Sequence, residues 1–414
     1  MIPINRRVLA LAAAFALTVN VAADAREAGR WIGSWASAQQ VPEERNALPA
    51  NALDDATLRQ IVRLTAGGNR LRVRISNAFG TTPLRVMATH VARPLSAAGA
   101  AIDPATDRAV TFAGEAGITI PAGAEYLSDP VSYRAVALSD LAVTIHVEKT
   151  PAVQTSHPGA RATSYIVAGD KVAAADLPEA KTVDHWFQLS GVEVEGGKAS
   201  GAIVLLGDSI TDGYGVKANT NQRWPDAFAA RLQANRKTRG LGVLNLGIGG
   251  NRLLLDGAGP NAAARFNRDV LMQAGVSHVL ILEGVNDLGV LTRDQPVGPD
   301  QHASLVSEIT TAYAQMVQKA RARGIKVIGA TIMPYGASAY YHPDALNEQD
   351  RQAVNAWIRA PGNFDAVVDM DKVMRDPARP ERLAPAYDSG DGLHPSMAGY
   401  RVMAEAIPLE LFAR

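Results

Sequence analysis

The chain has 414 residues, with 41 Lys and Arg against 41 Asp and Glu, and it has no cysteine. We expect two domains, because a single hydrophobic core rarely extends over so many residues. The absence of cysteine excludes disulfides, thiol nucleophiles and Cys-ligated zinc, and the balanced, interspersed charges argue against a nucleic-acid partner.

Residues 1–25 are typical of an export signal. Arg6 and Arg7 form a positive segment, Val8–Val19 is apolar, and Ala23-Asp24-Ala25 fits a small-residue cleavage site. The apolar stretch is shorter than the ~20 residues that span a bilayer, although an uncleaved anchor is the alternative. We therefore expect an exported protein, periplasmic or extracellular, with no stable membrane insertion after signal cleavage.

Residues 26–198 have a β-like pattern and predict an antiparallel, jelly-roll-like β-sandwich domain. Leu71–Ile75 and Leu141–Val147 alternate apolar and polar residues, and glycine and proline recur between such runs. Short strands at this spacing are typical of a sandwich. One short helix is expected at Asp54–Leu64.

Residues 199–414 alternate strand and helix patterns, which predicts a doubly wound α/β domain of the flavodoxin-like type. The strands are continuous apolar runs, as in a parallel sheet covered on both faces. They are predicted at 202–206, 243–246, 279–282, 327–332 and 366–368, with helices at 224–235, 303–323, 347–359 and 396–412. In such folds a ligand binds beyond the carboxyl ends of the strands.

Ser209 follows the first of these strands and precedes Gly213 and Gly215. A serine on a strand-to-helix loop, with its own N–H free, can supply a nucleophile and an oxyanion donor together. An N-cap serine or an Asp-Ser turn is the alternative interpretation. The segment does not match Gly-x-Ser-x-Gly, so a nucleophile elbow is not indicated.

Two further segments follow the next two strands. Asn245–Asn251 is rich in glycine, so its backbone can approach a ligand closely and direct N–H groups at it. A dinucleotide loop does not fit, because Arg252 occupies the position of the last glycine. Gly284–Asp287 contains Asn286, whose neutral amide can donate to an oxyanion. A turn without a ligand is the alternative for both segments.

Asp391 and His394 are three residues apart, so they can touch on a helical or turn-like backbone. A carboxylate on one ring nitrogen would orient the imidazole and leave the other nitrogen to accept a serine proton. Alone, the pair could be a capping Asp and a surface His. Because all four segments lie at the ligand-binding edge of one predicted sheet, their joint occurrence favours a serine esterase site.

The four segments resemble the conserved blocks of the SGNH (GDSL-type) hydrolase superfamily. The resemblance covers about residues 200–414. The matching blocks are Gly207–Ile210, the glycine segment 249–251, Gly284–Asp287 and Asp391–Pro395.

The resemblance implies a role for each site residue. Ser209 would be the nucleophile, His394 the general base and acid, and Asp391 the residue that orients His394. The backbone N–H groups of Ser209 and Gly250, together with the Asn286 side chain, would form the oxyanion hole. No metal ion and no organic cofactor is implied.

The match is incomplete in places. Ile210 stands where the name-giving motif has Leu, and Asn251-Arg252 stands where many relatives have Asp-Thr, which leaves the roles of those two residues open. Trp31–Trp35 and Arg74–Gly80 are similar to the front domain of secreted two-domain members. We expect the two tryptophans to serve packing rather than sugar stacking.

The expected function is a secreted serine esterase that acts on short-chain or O-acetyl esters, with a small molecule or a glycan ester as substrate. The alternatives are a lysophospholipase or lipase and, in another class, a non-catalytic glycan-binding protein. A metal hydrolase is disfavoured, because the eight His are scattered and no His-Glu-x-x-His occurs. The aromatic stretch Met333–Pro343 is expected to form a rim of the site.

Overall fold

The structure is a computed structural model that describes residues 29–413. The predicted export signal, residues 1–25, lies outside the described residues. Antiparallel sheets come first and a parallel sheet with helices follows, which confirms the predicted fold class. Within residues 29–413, no helix combines the length and the apolar character needed to cross a bilayer.

The first part of the chain, which we call the sandwich region (residues 29–198), consists of short strands. They are β1 (Arg30–Ala36), β2 (Ala56–Arg63), β3 (Gly68–Ser76), β4 (Leu84–Ala92), β5 (Arg108–Val110), β6 (Ile118–Ile120), β7 (Glu125–Leu127), β8 (Val131–Ala135), β9 (Asp140–Val147), β10 (Ser156–His157), β11 (Ser164–Ala168), β12 (Lys181–Val183), β13 (Trp186–Phe187) and β14 (Leu189–Gly196). Single 3₁₀ turns lie at Glu44–Asn46 and Pro104–Thr106.

Two larger antiparallel sheets enclose the core of the sandwich region. One has the order β1-β14-β3-β7, with β8 also paired to β3, and the other has the order β12-β11-β2-β9-β4-β5, with β6 paired to β4. Val73 and Val192 of the first sheet and Leu58 and Ile145 of the second are buried in the same apolar cluster. Trp35 is also buried there, edge-on to Trp186 at 4.8 Å between ring centroids.

The helix expected at Asp54–Leu64 is wrong, because the structure has strand β2 there. β2 lies between β11 and β9 and is buried on both faces. Its polar Arg59 is fully buried and donates through Nε to Thr144 Oγ1 at 2.9 Å. Because polar residues of β2 are buried along with its apolar residues, polar and apolar residues do not alternate along the strand. Its apolar residues instead fall at helix-like spacing, which explains the error.

The remaining part of the chain, which we call the α/β region (residues 199–413), alternates strands and helices. In order they are β15 (Gly201–Gly207), α1 (Ser209–Asp212), α2 (Trp224–Ala234), β16 (Leu241–Gly247), α3 (Ala262–Phe266) with a π-helical turn at Asn267–Leu271, β17 (Val276–Leu282), α4 (Val285–Arg293), α5 (Pro299–Arg321), β18 (Lys326–Ala330), α6 (Ala345–Arg359), β19 (Ala366–Val368), α7 (Met370–Met374), α8 (Met397–Ala406) and a 3₁₀ turn at Leu409–Phe412. The predicted closing helix therefore ends at Ala406, before the final turn.

The five strands of the α/β region are parallel, in the order β16-β15-β17-β18-β19. This is the flavodoxin-like order, in which the first strand lies between the second and the third. The loops that follow β15, β16 and β17 therefore start side by side at the carboxyl edge of the sheet. Ser209, Gly250 and Asn286 each lie a few residues after one of these strands.

The sandwich region packs directly against β16, the edge strand of the parallel sheet. Thr65 Oγ1 accepts the N–H of Val243 at 2.8 Å and lies 3.0 Å from the carbonyl oxygen of the same residue. Gly33 donates its N–H to Ala274 O at 2.9 Å. A Cβ on Gly242 would come within 2.1 Å of Gly33 O, so the two backbones meet where only glycine fits.

Candidate active site

Ser209 lies at the carboxyl end of β15, where it begins the short helix α1. Asp208 caps this helix, since its Oδ1 accepts the backbone N–H of Ile210 at 2.9 Å. A Cβ on Gly207 would come within 2.1 Å of the Thr211 side chain, so the tight strand-to-helix turn requires glycine there. Ser209 is 7% exposed and lines a cavity of about 1000 Å³.

Asp391 and His394 lie in the loop between α7 and α8 and face Ser209. Asp391 Oδ1 accepts the backbone N–H groups of Leu393 at 2.9 Å and of His394 at 2.8 Å, which holds the loop in a tight turn. Asp391 Oδ2 is 2.6 Å from His394 Nδ1, and His394 Nε2 is 2.8 Å from Ser209 Oγ. Gly392, at φ 71°, allows the turn to pass close to the rim loop, because a Cβ there would meet backbone atoms at 2.4 Å.

The surroundings of His394 and Asp391 determine the protonation state of each. Burial lowers the pKa of His394 below its ordinary value, although the Asp391 carboxylate opposes the shift. Burial would raise the pKa of Asp391, but hydrogen bonds from His394 and Leu393 outweigh it and hold that pKa below its ordinary value. At neutral pH the imidazole is therefore neutral beside an ionised carboxylate, which suits it to accept a proton.

Ser209, Gly250 and Asn286 line the same cavity, and each has a candidate hydrogen-bond donor: the backbone N–H of Ser209 and of Gly250 and the side-chain amide of Asn286. Ser209 is the first residue of α1, where a helix leaves its N–H groups without helical partners. Gly250 has φ 72°, a backbone conformation that favours glycine. Asn286 lies in the first turn of α4, with Nδ2 donating to Asn251 O at 2.6 Å, which leaves its second amide hydrogen for the cavity.

Tyr341 holds the orientation of the Asn286 amide and was not singled out by the sequence. Its hydroxyl donates to Asn286 Oδ1 at 2.6 Å, and this hydrogen bond fixes the rotation of the amide group. A Cβ on Gly289 would come within 2.4 Å of the Tyr341 ring, so α4 accommodates the ring only because it has glycine there. Tyr341 belongs to the stretch expected to form the rim, and Ser338 and Tyr340 of that stretch also line the cavity.

Asn251 is part of the support beneath the site. Its Oδ1 accepts a hydrogen bond from Arg265 Nε at 3.0 Å, and its Nδ2 donates to Pro260 O at 2.8 Å. Arg265 is almost fully buried and also donates to Gly207 O at 3.0 Å and to Asp269 at 3.0 Å. One guanidinium therefore joins the loops that follow β15 and β16.

Asp287 fixes the end of the glycine loop to helix α4. Its carboxylate oxygens accept the N–H groups of Leu253 at 2.7 Å and of Leu254 at 3.0 Å. Burial raises the pKa of Asp287 to about 6 and that of the nearby Asp208 to about 7. These two carboxyl groups thus accept backbone N–H groups and hold the chain around the site, whereas Asp391 is the carboxylate beside His394.

The sandwich region also contributes to the site, which the sequence did not predict. His157 of β10 links the two regions, since its Nδ1 lies 2.7 Å from Ala38 O and its Nε2 lies 2.9 Å from Asp212 Oδ1 at the end of α1. Residues of the sandwich region that line the cavity are Gln40, Glu43, Arg45, Asn46, Pro158, Gly159, Arg161 and His185. No group of three or more His, Asp or Glu side chains within residues 29–413 could hold a metal ion.

The comparisons with known proteins concern the α/β region. Residues 205–402 match the model of the GDSL-like lipase/acylhydrolase family. The match confirms the predicted resemblance for these residues and supports a hydrolase that acts on esters. A comparison with curated proteins found no match.

Solved structures similar to the chain cover about half of it. The acetylxylan esterase Axe2 from Geobacillus stearothermophilus is 23% identical, with 50% of this chain and 94% of that chain covered and a TM-score of 0.38. A GDSL-like lipase from Bacteroides thetaiotaomicron is 23% identical, with 50% and 84% covered and a TM-score of 0.35.

Proposed function

We propose that the chain is an exported serine esterase that hydrolyses carboxylic esters through an acyl-enzyme, with short-chain or O-acetyl esters, including those on carbohydrate, as substrates. The observation that carries this proposal is the hydrogen-bonded row from Asp391 through His394 to Ser209, with distances of 2.6 and 2.8 Å. These lengths lie within the range needed for proton transfer between a nucleophile and its base.

In the proposed mechanism, Ser209 Oγ attacks the ester carbonyl carbon while His394 Nε2 takes the hydroxyl proton. Asp391 stabilises the imidazolium that forms. The carbonyl oxygen becomes an oxyanion and accepts hydrogen bonds from the N–H groups of Ser209 and Gly250 and from Asn286 Nδ2.

Collapse of the tetrahedral intermediate breaks the bond to the leaving alcohol, which takes its proton from His394 Nε2. Water then attacks the acyl-serine, with His394 as its base, and the carboxylic acid leaves as Ser209 regains its proton.

The small number of aliphatic side chains in the cavity lining supports a substrate with a short acyl group. Apart from Pro158, Val290 and Leu393 are the only aliphatic side chains larger than alanine among the described residues that line it. A fatty acyl chain gains about 0.8 kcal/mol for each buried CH₂ group, and this lining offers few aliphatic side chains against which to bury it. An O-acetyl ester needs no such surface.

The test replaces the proposed nucleophile. Ser209→Ala should remove hydrolysis of p-nitrophenyl acetate, because no group would remain to form the acyl-enzyme, whereas the exposed Ser307→Ala should retain it. A fluorophosphonate probe should add its mass to Ser209 alone. Wild-type rates in Ser209→Ala, or labelling of a different serine, would contradict the proposal.

A second measurement addresses the substrate. We expect acetate release from acetylated xylan to exceed fatty-acid release from lysophosphatidylcholine, because few aliphatic side chains line the cavity. The reverse order would favour the lysophospholipase alternative. Binding of xylan without any release of acetate would favour a non-catalytic glycan-binding protein.

Export is the remaining part of the proposal, and it rests on the sequence of residues 1–25. Expression of the full chain in a Gram-negative host should give a product that starts at Arg26 and lies outside the cytoplasm. Mass spectrometry of the fractionated protein measures both. An intact N-terminus in the cytoplasmic fraction would contradict export.

A further inference from the structure

Arg161 is held in the cavity by an unusual piece of backbone. It has φ 49°, in the left-handed region that residues other than glycine seldom adopt. The α/β region fixes this segment, because Arg223 donates to Ala160 O and the N–H of Asn219 donates to Arg161 O at 2.9 Å. The Asn219 side chain also accepts the N–H of Thr163 at 2.8 Å. A strained residue fixed by its surroundings at a cavity is a pointer to function.

The charge of Arg161 has no carboxylate partner within residues 29–413, and its Nε is buried without a hydrogen-bond partner there. Most other charged side chains that line the cavity are paired: Glu43 with Arg45, Asp212 with His157, Asp391 with His394, and Arg293 with Asp294. Arg252 lacks a carboxylate partner too, but its guanidinium donates to Asp256 O. Arg161 thus presents an unneutralised guanidinium to the cavity.

The position of Arg161 relates it to one part of the substrate. Its guanidinium carbon lies 5.8 Å from the centre of the Tyr214 ring, and that ring stacks on the His394 imidazole at 4.0 Å. In the proposed mechanism His394 delivers its proton to the leaving alcohol. A substituent that extends past His394 towards Tyr214 and Arg161 therefore belongs to the alcohol portion of the ester.

We propose that Arg161 binds a carboxylate on the alcohol portion of the substrate, so that the preferred esters are those of hydroxy acids or acidic sugars. A guanidinium can meet a carboxylate with two parallel hydrogen bonds, and Arg161 lines the cavity without a carboxylate partner in the described part of the chain. This inference rests on the proposed function, because it specifies the alcohol of the same reaction. It also gives the sandwich region a part in substrate selection.

The test uses two acetate esters of similar shape, one with a charged carboxylate and one with a neutral amide. 4-Acetoxybenzoate and 4-acetoxybenzamide share the acetyl group and a phenol leaving group, and the 3-substituted isomers vary the reach of the acid. We expect the wild-type protein to prefer the acids. Arg161→Gln should lower the ratio of kcat/KM for acid over amide about 10-fold or more, and Arg161→Lys should lower it less. Added salt should reduce the ratio in the wild-type protein and hardly affect it in Arg161→Gln.

Arg236→Gln is the matched control. Arg236 is exposed, follows α2 and lies towards the amino ends of the parallel strands, opposite the cavity. It should leave the ratio unchanged. Thermal unfolding of each variant shows whether it is folded, and Arg161→Lys keeps the test valid if Arg161→Gln does not fold.

Two results would overturn the inference. One is a wild-type protein that shows no preference for the acids in either isomer. The other is a loss in Arg161→Gln that is equal for acid and amide, since Arg161 would then act through Tyr214 and His394 rather than on the substrate. Both results differ from failure of the proposed function. In that case Ser209→Ala would hydrolyse 4-acetoxybenzamide at the wild-type rate.

Discussion

The contact between Tyr341 and Asn286 allows a sharp test of the proposed oxyanion hole. Tyr341→Phe removes only the hydroxyl that donates to Asn286 Oδ1 at 2.6 Å. Both residues are buried, with exposed fractions of 3% and 2%, so no solvent replaces the lost donor. A buried acceptor left without a partner costs about 1–3 kcal/mol, and we expect the free energy of unfolding to fall by about that amount.

The effect on catalysis should be smaller than loss of the whole amide. Asn286 would keep its bond from Nδ2 to Asn251 O, so the amide would be held by one contact instead of two. Removal of an entire oxyanion donor costs about 3 kcal/mol, or about 100-fold in kcat. We therefore expect Tyr341→Phe to lower kcat about 10-fold, which corresponds to about 1.4 kcal/mol. KM should change little, because the donor acts on charge that develops in the transition state.

A double-mutant cycle with p-nitrophenyl acetate separates this role from a structural one. In the Asn286→Ala background, Tyr341→Phe should lower kcat by less than about threefold, because the amide that it orients is gone. Tyr340→Phe is the matched control, since Tyr340 is exposed and its hydroxyl contacts Arg293 rather than Asn286. An unchanged kcat in Tyr341→Phe, or a full 10-fold loss in the Asn286→Ala background, would refute the reasoning.

Two further predictions concern pH and the contact between the regions. The kcat/KM for a neutral ester should fall on acidification as His394 gains a proton. Because burial lowers the pKa of His394, the midpoint of the fall should lie below pH ~6.5, and a midpoint above pH 7 would contradict this. His157→Phe leaves the buried Asp212 carboxylate without the contact at 2.9 Å, so we expect the free energy of unfolding in urea to fall by about 2 kcal/mol. An unchanged midpoint and slope of the urea transition would show that the contact does not stabilise the fold.

The α/β region could be predicted from the sequence because its signals are local. A parallel strand buried on both faces is a continuous apolar run, and each of the five predicted runs is a strand in the sheet. The residues proposed for catalysis follow such strands or precede the last helix, so the rule for ligand sites in α/β folds placed them at one edge. Ser209 and His394 do lie within hydrogen-bond distance.

The contributions from elsewhere in the chain could not be predicted in this way. Arg161 and His157 lie in short segments without a periodic pattern. The place of Arg161 in the cavity lining and the contact of His157 with Asp212 depend on how two regions pack. Tyr341 was included only as part of an aromatic stretch, because nothing in the sequence indicates which ring turns inward. β2 was missed for the related reason that its polar residues are buried by the tertiary structure.

The covered edge of the parallel sheet affects how this protein can be dissected. Without Thr65 and Gly33 alongside it, β16 would present free peptide groups to other molecules, and open strand edges of that kind promote aggregation. A fragment that begins at residue 199 would lose these contacts on β16 together with the residues of the sandwich region that line the cavity. The protein is therefore better engineered as a whole than as an isolated α/β region. A replacement for the sandwich region would have to reproduce the contact of Thr65 with β16.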